Sequence, residues 1–293
     1  CSARVEASAM ATVYLDGKFL DDSEAKVSIH DRGFLFGDAV YEVVPVYRGN
    51  PFRLARHLDR LRESLAAVAI GCPLPDEEWA AIIARLLEGA YGHEHSVYIQ
   101  ITRGVGAGRD ATQTQGLRPT VLVSIAEVSI DRARLVSGIR AALLEDTRWH
   151  HCQIKATALL GNVLLRREAL QRGAAEALLV RDGELTEGSS SNVFALLDGV
   201  LRTAPPDQRI LRGITREVVI DLARGCGIEV REQAVPVAQL ASVQELFICS
   251  SVREVVPVTR VDAHAVSDAR PGPMTRRIMQ EFVALKTRFT GDA

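Results

Sequence analysis

Apolar and polar positions change period several times along the chain, and each change marks an element. Val13-Tyr14-Leu15 and Phe19-Leu20 flank Asp16-Gly17, a two-residue turn signal, so the chain opens with a hairpin. Val40 to Tyr47 is rich in β-branched and aromatic residues and reads as a strand, with Pro45 placing it at an edge or bulge. Tyr41, Val43 and Pro45 then share one face. Leu54, Leu58, Leu61, Leu65 and Val68 recur at helical spacing, with His57, Arg60 and Ser64 on another side. A second helix is predicted after Asp76, read as its N-cap, burying Trp79, Ile82, Ile83, Leu86 and Leu87. Val97, Ile99 and Ile101 alternate with polar neighbours, and Thr120 to Ile125 gives another strand.

The order of these elements predicts an α+β domain over 11–128, a linker over 129–137 and a larger domain over 138–290. In the second domain, strands are predicted for Arg140 to Asp146, Ala177 to Val180, Val193 to Leu197, Glu245 to Cys249 and Val255 to Val258. Helices are predicted for Ala156 to Gln171, from Gly213 onward, and for Met274 to Lys286. Residues 1–10 carry no apolar period and are set aside as a tag remnant or an extension ahead of Met10.

Composition narrows the classes. At 293 residues and 47% apolar the chain can bury real cores, and no stretch approaches the roughly 18 apolar residues of a membrane span, which points to the cytoplasm. Five scattered cysteines fit reduced thiols better than a disulfide framework. A net charge of −2 gives no electrostatic case for nucleic acid or an anionic membrane.

Candidate chemistry centres on Lys155, in Cys152-Gln153-Ile154-Lys155-Ala156-Thr157, read as the end of a strand opening into a helix. A Lys there either snorkels to the surface or is buried, and burial lowers its pKa from roughly 10.4 toward a nucleophilic amine. Further on, Leu185-Thr186-Glu187-Gly188-Ser189-Ser190-Ser191-Asn192-Val193-Phe194 is a strand, a tight polar turn and a second strand. Ile214 and Thr215 begin a helix whose free N–H groups suit an anion, and Ser250-Ser251 follow a strand. Three motifs are set aside. Gly104-Val105-Gly106-Ala107-Gly108 lacks the following helix of a dinucleotide loop. His150, His151 and Cys152 lack a second ligand pair for zinc, so no metal is expected. The Ser189–Ser191 run has no nucleophile-elbow pattern.

The Lys155 segment continuing into Leu160-Gly161-Asn162, with the Thr186-Glu187-Gly188 turn, resembles the fold-type IV pyridoxal-phosphate aminotransferases of class IV, and most closely the D-amino-acid transaminases. The resemblance runs from about residue 12 to the last helix. It implies a small N-terminal α/β sandwich, a larger C-terminal pseudobarrel domain, a cofactor cleft between them, and a homodimer whose clefts borrow residues from the partner. It implies pyridoxal 5'-phosphate, held by Lys155 as a Schiff base, by Glu187 at the pyridine nitrogen, and by Arg60, Ile214, Thr215, Ser250 and Ser251 at the phosphate. The implied reaction moves an amino group from a D-amino acid to an α-keto acid in two halves, with Lys155 as the proton carrier. Tyr41 and Arg109 match substrate-binding residues of the family. The His that accompanies that Arg has no counterpart, since no His lies between His95 and His150. Poorer affinity for small D-amino acids and some acceptance of (R)-amines are therefore expected. A branched-chain L-amino-acid transaminase, an (R)-selective amine transaminase, an aminodeoxychorismate-lyase-like enzyme and an idle cofactor-binding protein remain as alternatives. Tyr41-Glu42-Val43 departs from the Phe-Glu-Gly typical of the branched-chain enzymes.

Overall fold

A computed structural model describes residues 12–90 and 93–291. Residues 1–10, set aside above, lie outside the described residues. The chain divides into two compact units: 12–128 together with Ile154–Ala158, and Ser129–Gln153 together with 159–291.

The first unit holds β1 (Thr12–Leu15), β2 (Lys18–Asp21), α1 (Arg32–Phe36), β3 (Ala39–Tyr47), β4 (Asn50–Pro51), α2 (Leu54–Ala67), α3 (Asp76–Leu86), β5 (His95–Thr102) and β6 (Thr120–Glu127). Its strands form one antiparallel sheet in the order β2-β1-β6-β5-β3-β4. The helices cover one face: α2 packs on β3, and α3 on β1 and β6. Alternation within β3 and β5 turns Val40, Val44, Val46, Val97, Ile99 and Ile101 toward Leu58, Leu61, Leu65 and Trp79, all buried. At the start of α3, Pro75 takes the N-cap place assigned above to Asp76, which instead joins Glu77 and Glu78 in a first turn whose charge suits the helix dipole.

β4 covers β3 only at Val46 and Tyr47, so the start of β3 is an open edge. Residues 155–157 fill it. Tyr41 N–H donates to Lys155 O at 2.9 Å and Thr157 N–H to Ala39 O at 3.0 Å, around a bridge between Val40 and Ala156.

The second unit holds α4 (Arg132–Ser137), β7 (Ile139–Glu145), α5 (Leu160–Gln171), β8 (Glu176–Arg181), β9 (Glu184–Gly188), β10 (Asn192–Leu197), β11 (Val200–Thr203), α6 (Ile214–Gly225), β12 (Val230–Glu232), β13 (Val235–Pro236), β14 (Glu245–Ser250), β15 (Glu254–Val261), β16 (His264–Ala265) and α7 (Pro273–Thr290). The strands form one mixed sheet, β12-β11-β10-β14-β15-β7-β8-β9-β13, with β16 on β15. It curls so that β9 and β10 touch, and its inner face packs Leu178, Val193, Ala195, Ile248 and Val256. Within the stretch read as a linker, α4 is capped by Asp131 and packs on β15.

α5 begins at Leu160, four residues later than predicted, because Ala156 and Thr157 are engaged at the β3 edge. Glu245 in β14 caps α7 from a distance, accepting from Met274 N–H, Thr275 N–H and Thr275 Oγ1.

Candidate functional site

Lys155 lies neither at the end of a strand nor at the start of a helix, and it is half-buried rather than buried. Its backbone is fixed at the β3 edge, and its N–H also donates to Ser64 Oγ of α2 at 3.2 Å. The ammonium lies 4.2 Å from the centroid of the Tyr41 ring, a cation–π contact. Tyr41 pairs with Gln100 and Val43 with Tyr98, so all four side chains share the sheet face opposite α2. The Tyr41 and Tyr98 rings are 5.7 Å apart, and Tyr98 Oη donates to Gln100 Oε1 at 2.7 Å. Burial, with Tyr41 adding, pushes the Tyr98 hydroxyl up to about 12, so it remains a donor at neutral pH.

Arg60 is not a solvated helix-face charge. It is buried with His57 and Ser64 on the side of α2 that faces β3. Glu42, on the apolar face of β3 and fully buried, accepts from Arg60 Nε at 2.9 Å, Arg60 Nη2 at 2.7 Å and Val43 N–H at 2.8 Å. His57 Nδ1 stands 3.0 Å from it. Burial alone would raise the Glu42 carboxyl, but the Arg60 charge and the His57 bond outweigh it and hold it well below its ordinary value. Burial also lowers His57, against the pull of Glu42. Sequence reading missed this group. The available signal was an acidic residue in phase with Val40, Val44 and Val46, opposite a helix with polar residues at positions 57, 60 and 64.

In the second unit Glu187 is on a strand, not in a solvated turn. It accepts from Arg148 Nη1 at 2.5 Å, Leu211 N–H at 3.1 Å and Asn192 Nδ2 at 3.2 Å. Burial pushes its carboxyl up to about 7, against the charge and hydrogen bonds of Arg148. Arg148 is in turn held by Asp146, through Nε at 2.8 Å and Nη2 at 2.9 Å, and Asp146 also pairs with Arg181 at 3.1 Å. Four buried charges of alternating sign thus end at Glu187. Arg148 is committed to Asp146 and Glu187.

Asn192 Nδ2 also donates to Leu211 O at 2.9 Å, tying Glu187 to the segment that leads into α6. Gly213 is the α6 N-cap and has no side chain to cap the first-turn N–H groups of Ile214 and Thr215. A Cβ at Gly213 would come within 2.1 Å of Asn192 Oδ1, so any larger residue there must displace that side chain. α6 packs on β14, which ends at Ser250, and Ser250 Oγ is a buried atom with no hydrogen-bond partner among the described residues. Ser251 follows it, half-buried. The structure thus groups Lys155, Tyr41 and Arg60 in one unit and Glu187, Ile214, Thr215, Ser250 and Ser251 in the other.

Arg109 is exposed on the loop after β5, with its guanidinium 5.7 Å from the Phe36 ring centroid. Asp110 does not engage it, because the Asp110 carboxylate accepts from Thr112 N–H at 2.8 Å and Thr112 Oγ1 at 2.7 Å. Among the described residues no group of three or more His, Cys, Asp or Glu could hold a metal ion, no helix is long and apolar enough to cross a membrane, and Cys72, Cys152, Cys226 and Cys249 are free thiols.

Residues 39–261 match the family described as amino-transferase class IV. The chain is 36% identical over 273 residues to D-alanine aminotransferase of Staphylococcus haemolyticus, covering 93% of this chain and 97% of that one. It is 38% identical over 282 residues to D-alanine aminotransferase of Listeria monocytogenes, covering 96% and 98%. Among solved structures, the branched-chain amino acid aminotransferase of Escherichia coli is similar with a TM-score of 0.89 at 28% identity, over 97% of this chain and 96% of that one. A fold IV transaminase from Curtobacterium pusillum follows with 0.80 at 29%, over 94% and 93%. With most of its length matched by one family and nearly all of it aligned to named aminotransferases, the chain belongs to the class IV aminotransferases, two-domain α+β enzymes of fold-type IV that use pyridoxal 5'-phosphate.

Proposed function

We propose that this enzyme transfers the amino group of a D-amino acid to an α-keto acid, with Lys155, Glu187, Arg60, Ile214, Thr215, Ser250 and Ser251 holding pyridoxal 5'-phosphate. The residues fit that group by their own chemistry. Uncapped N–H groups at the start of α6 and the unpartnered Ser250 hydroxyl are donors suited to a phosphate. Glu187 is a carboxylate enclosed by donors, and Lys155 supplies a primary amine. Arg60 already gives two donors to Glu42, so it would meet a phosphate as a cation of fixed orientation.

When bound, the cofactor supplies an electron sink for charge developing at the substrate Cα. Lys155 would hold it until the donor's amine displaces the side chain, and the freed Lys155 amine would then take the proton from the donor Cα in one half-reaction and deliver one to the Cα of the accepting keto acid in the other. Glu187 provides the carboxylate that a protonated pyridine nitrogen needs, and the charge and hydrogen bond of Arg148 oppose the burial that raises it. Tyr41 and Arg109 orient the donor carboxylate, and the family resemblance supports a homodimer in which the Arg109 loop serves the partner's site.

The observation that carries the chemistry is the Lys155 amine set 4.2 Å from the Tyr41 ring centroid on a segment clamped to β3. The hand of the donor rests on the D-alanine aminotransferases at 36–38% identity. Branched-chain L-amino acids are the second reading, favoured by the TM-score of 0.89 but at only 28% identity. An assay with both enantiomers of alanine and leucine decides: turnover of D-alanine is expected, and turnover confined to L-leucine would overturn the reading. Borohydride should fix the cofactor to the peptide containing Lys155. Sedimentation of the active enzyme as a monomer would remove the dimer.

A further inference from the structure

We propose that Arg32 is a positioning residue that holds the Arg109 loop in a fixed form and thereby sets the affinity for the donor carboxylate. The inference rests on the reading of Arg109 as a carboxylate-binding residue. Arg32 is 4% exposed, yet its guanidinium is directed at main chain of an exposed loop: Nη1 donates to Asp110 O at 2.5 Å and Nη2 to Ala111 O at 3.1 Å. Nε donates to Asp38 Oδ2 at 2.8 Å. Asp38 is held from its other side by Arg103 Nε at 2.8 Å and Nη2 at 3.0 Å, and Arg103 also donates to Val68 O and Ala69 O beyond the end of α2. A chain of fixed groups therefore runs from α2 to the two carbonyls next to Arg109.

The Phe36 ring lies between these parts, 4.8 Å from the Arg32 guanidinium carbon and 5.7 Å from that of Arg109. At the loop base Arg32 N–H donates to Gly104 O at 2.9 Å and Gly106 N–H to His30 O at 3.1 Å. From Arg109 to Thr112 the loop is exposed and buries no apolar side chain. Its order comes from hydrogen bonds rather than from packing, and an unordered loop would lose entropy each time a carboxylate bound. Only a planar guanidinium spans a carboxylate and two carbonyls at once; a Lys ammonium in the same place is a single point charge.

The test is Arg32→Lys in the cofactor-loaded enzyme, read by steady-state kinetics and by amide hydrogen exchange over residues 104–113. The KM for D-alanine should rise about ten-fold with kcat within about two-fold, the order of one lost charge-assisted hydrogen bond. Exchange over 104–113 should accelerate, and in an Arg109→Ala background Arg32→Lys should add nothing further to KM. Phe36→Leu, at a half-buried position, is the milder second variant and should shift KM and exchange in the same direction even if Arg32→Lys does not fold. Raised KM in Arg109→Ala, with unchanged KM and exchange in the folded Arg32→Lys or Phe36→Leu enzyme, overturns the role of Arg32 and leaves that of Arg109 standing. Unchanged KM in Arg109→Ala removes the reading of Arg109 and this proposal with it.

Discussion

Glu42→Gln should be among the most destabilising single changes in the first unit. The glutamine keeps the shape but replaces a carboxylate that accepts from Arg60 at 2.9 and 2.7 Å with an amide whose NH2 faces the same donors. Arg60, 3% exposed, then remains a buried cation without its carboxylate, and breaking such a pair costs about 3–5 kcal/mol. Counting two charged hydrogen bonds at about 1.5–3 kcal/mol each gives about 3–6 kcal/mol, which overlaps that range. At roughly 2–4 °C per kcal/mol, the transition should fall by about 10 °C. Trp79 is fully buried in the core of this unit, so its fluorescence in a Trp149→Phe background reports the unit directly. The measurement belongs on cofactor-stripped protein, where ligand binding adds nothing to stability. Glu42→Leu with Arg60→Met should recover most of the loss, because apolar side chains replace a buried pair at little cost. A loss below about 1 kcal/mol for Glu42→Gln, or a double variant no better than the single one, would refute the pair as the cause. Acid should act in the same direction: with its folded value depressed, Glu42 contributes stability above its unfolded value of 4.5 that is lost as pH falls below it.

Glu187 should show the opposite sign in stripped protein: its folded value is raised to about 7, so its contribution is full below 4.5 and lost as pH rises to about 7, and unfolding titrations should find that slope absent in Glu187→Gln. The same variant should retain the cofactor, seen by absorbance, yet lose most of its kcat, because a neutral amide cannot hold a pyridinium proton. Gly213→Ala should weaken cofactor binding about ten-fold in equilibrium titration, since the added Cβ would lie 2.1 Å from Asn192 Oδ1 and must displace the residue that orients Glu187. Gly104→Ala should lower stability by about 1–3 kcal/mol in urea unfolding, because φ is +105° there and a Cβ would meet Arg118 O at 1.9 Å.

Much of this protein is written in short-range pattern. Alternation in β3 and β5 and the Leu54, Leu58, Leu61, Leu65 period were legible because each element chooses its buried face by its own repeat, and the Lys155 and Glu187 motifs were legible because their residues are contiguous. What the sequence could not show is where a segment without periodicity goes. Residues 155–157 were read as strand end and helix start, yet they are captured by unpaired main-chain groups at the start of β3, an edge left open because β4 is only two residues long. The same limit hid Glu42, His57 and Arg60. Each is an ordinary polar residue in its own element, and only packing α2 on β3 brings 15- and 18-residue separations to hydrogen-bond distance, where low dielectric makes the pairing obligatory. Glu187 follows the same rule, for the sequence marks the turn, while the tertiary fold supplies both the burial that raises the carboxyl and, from 39 residues away, the Arg148 that opposes it.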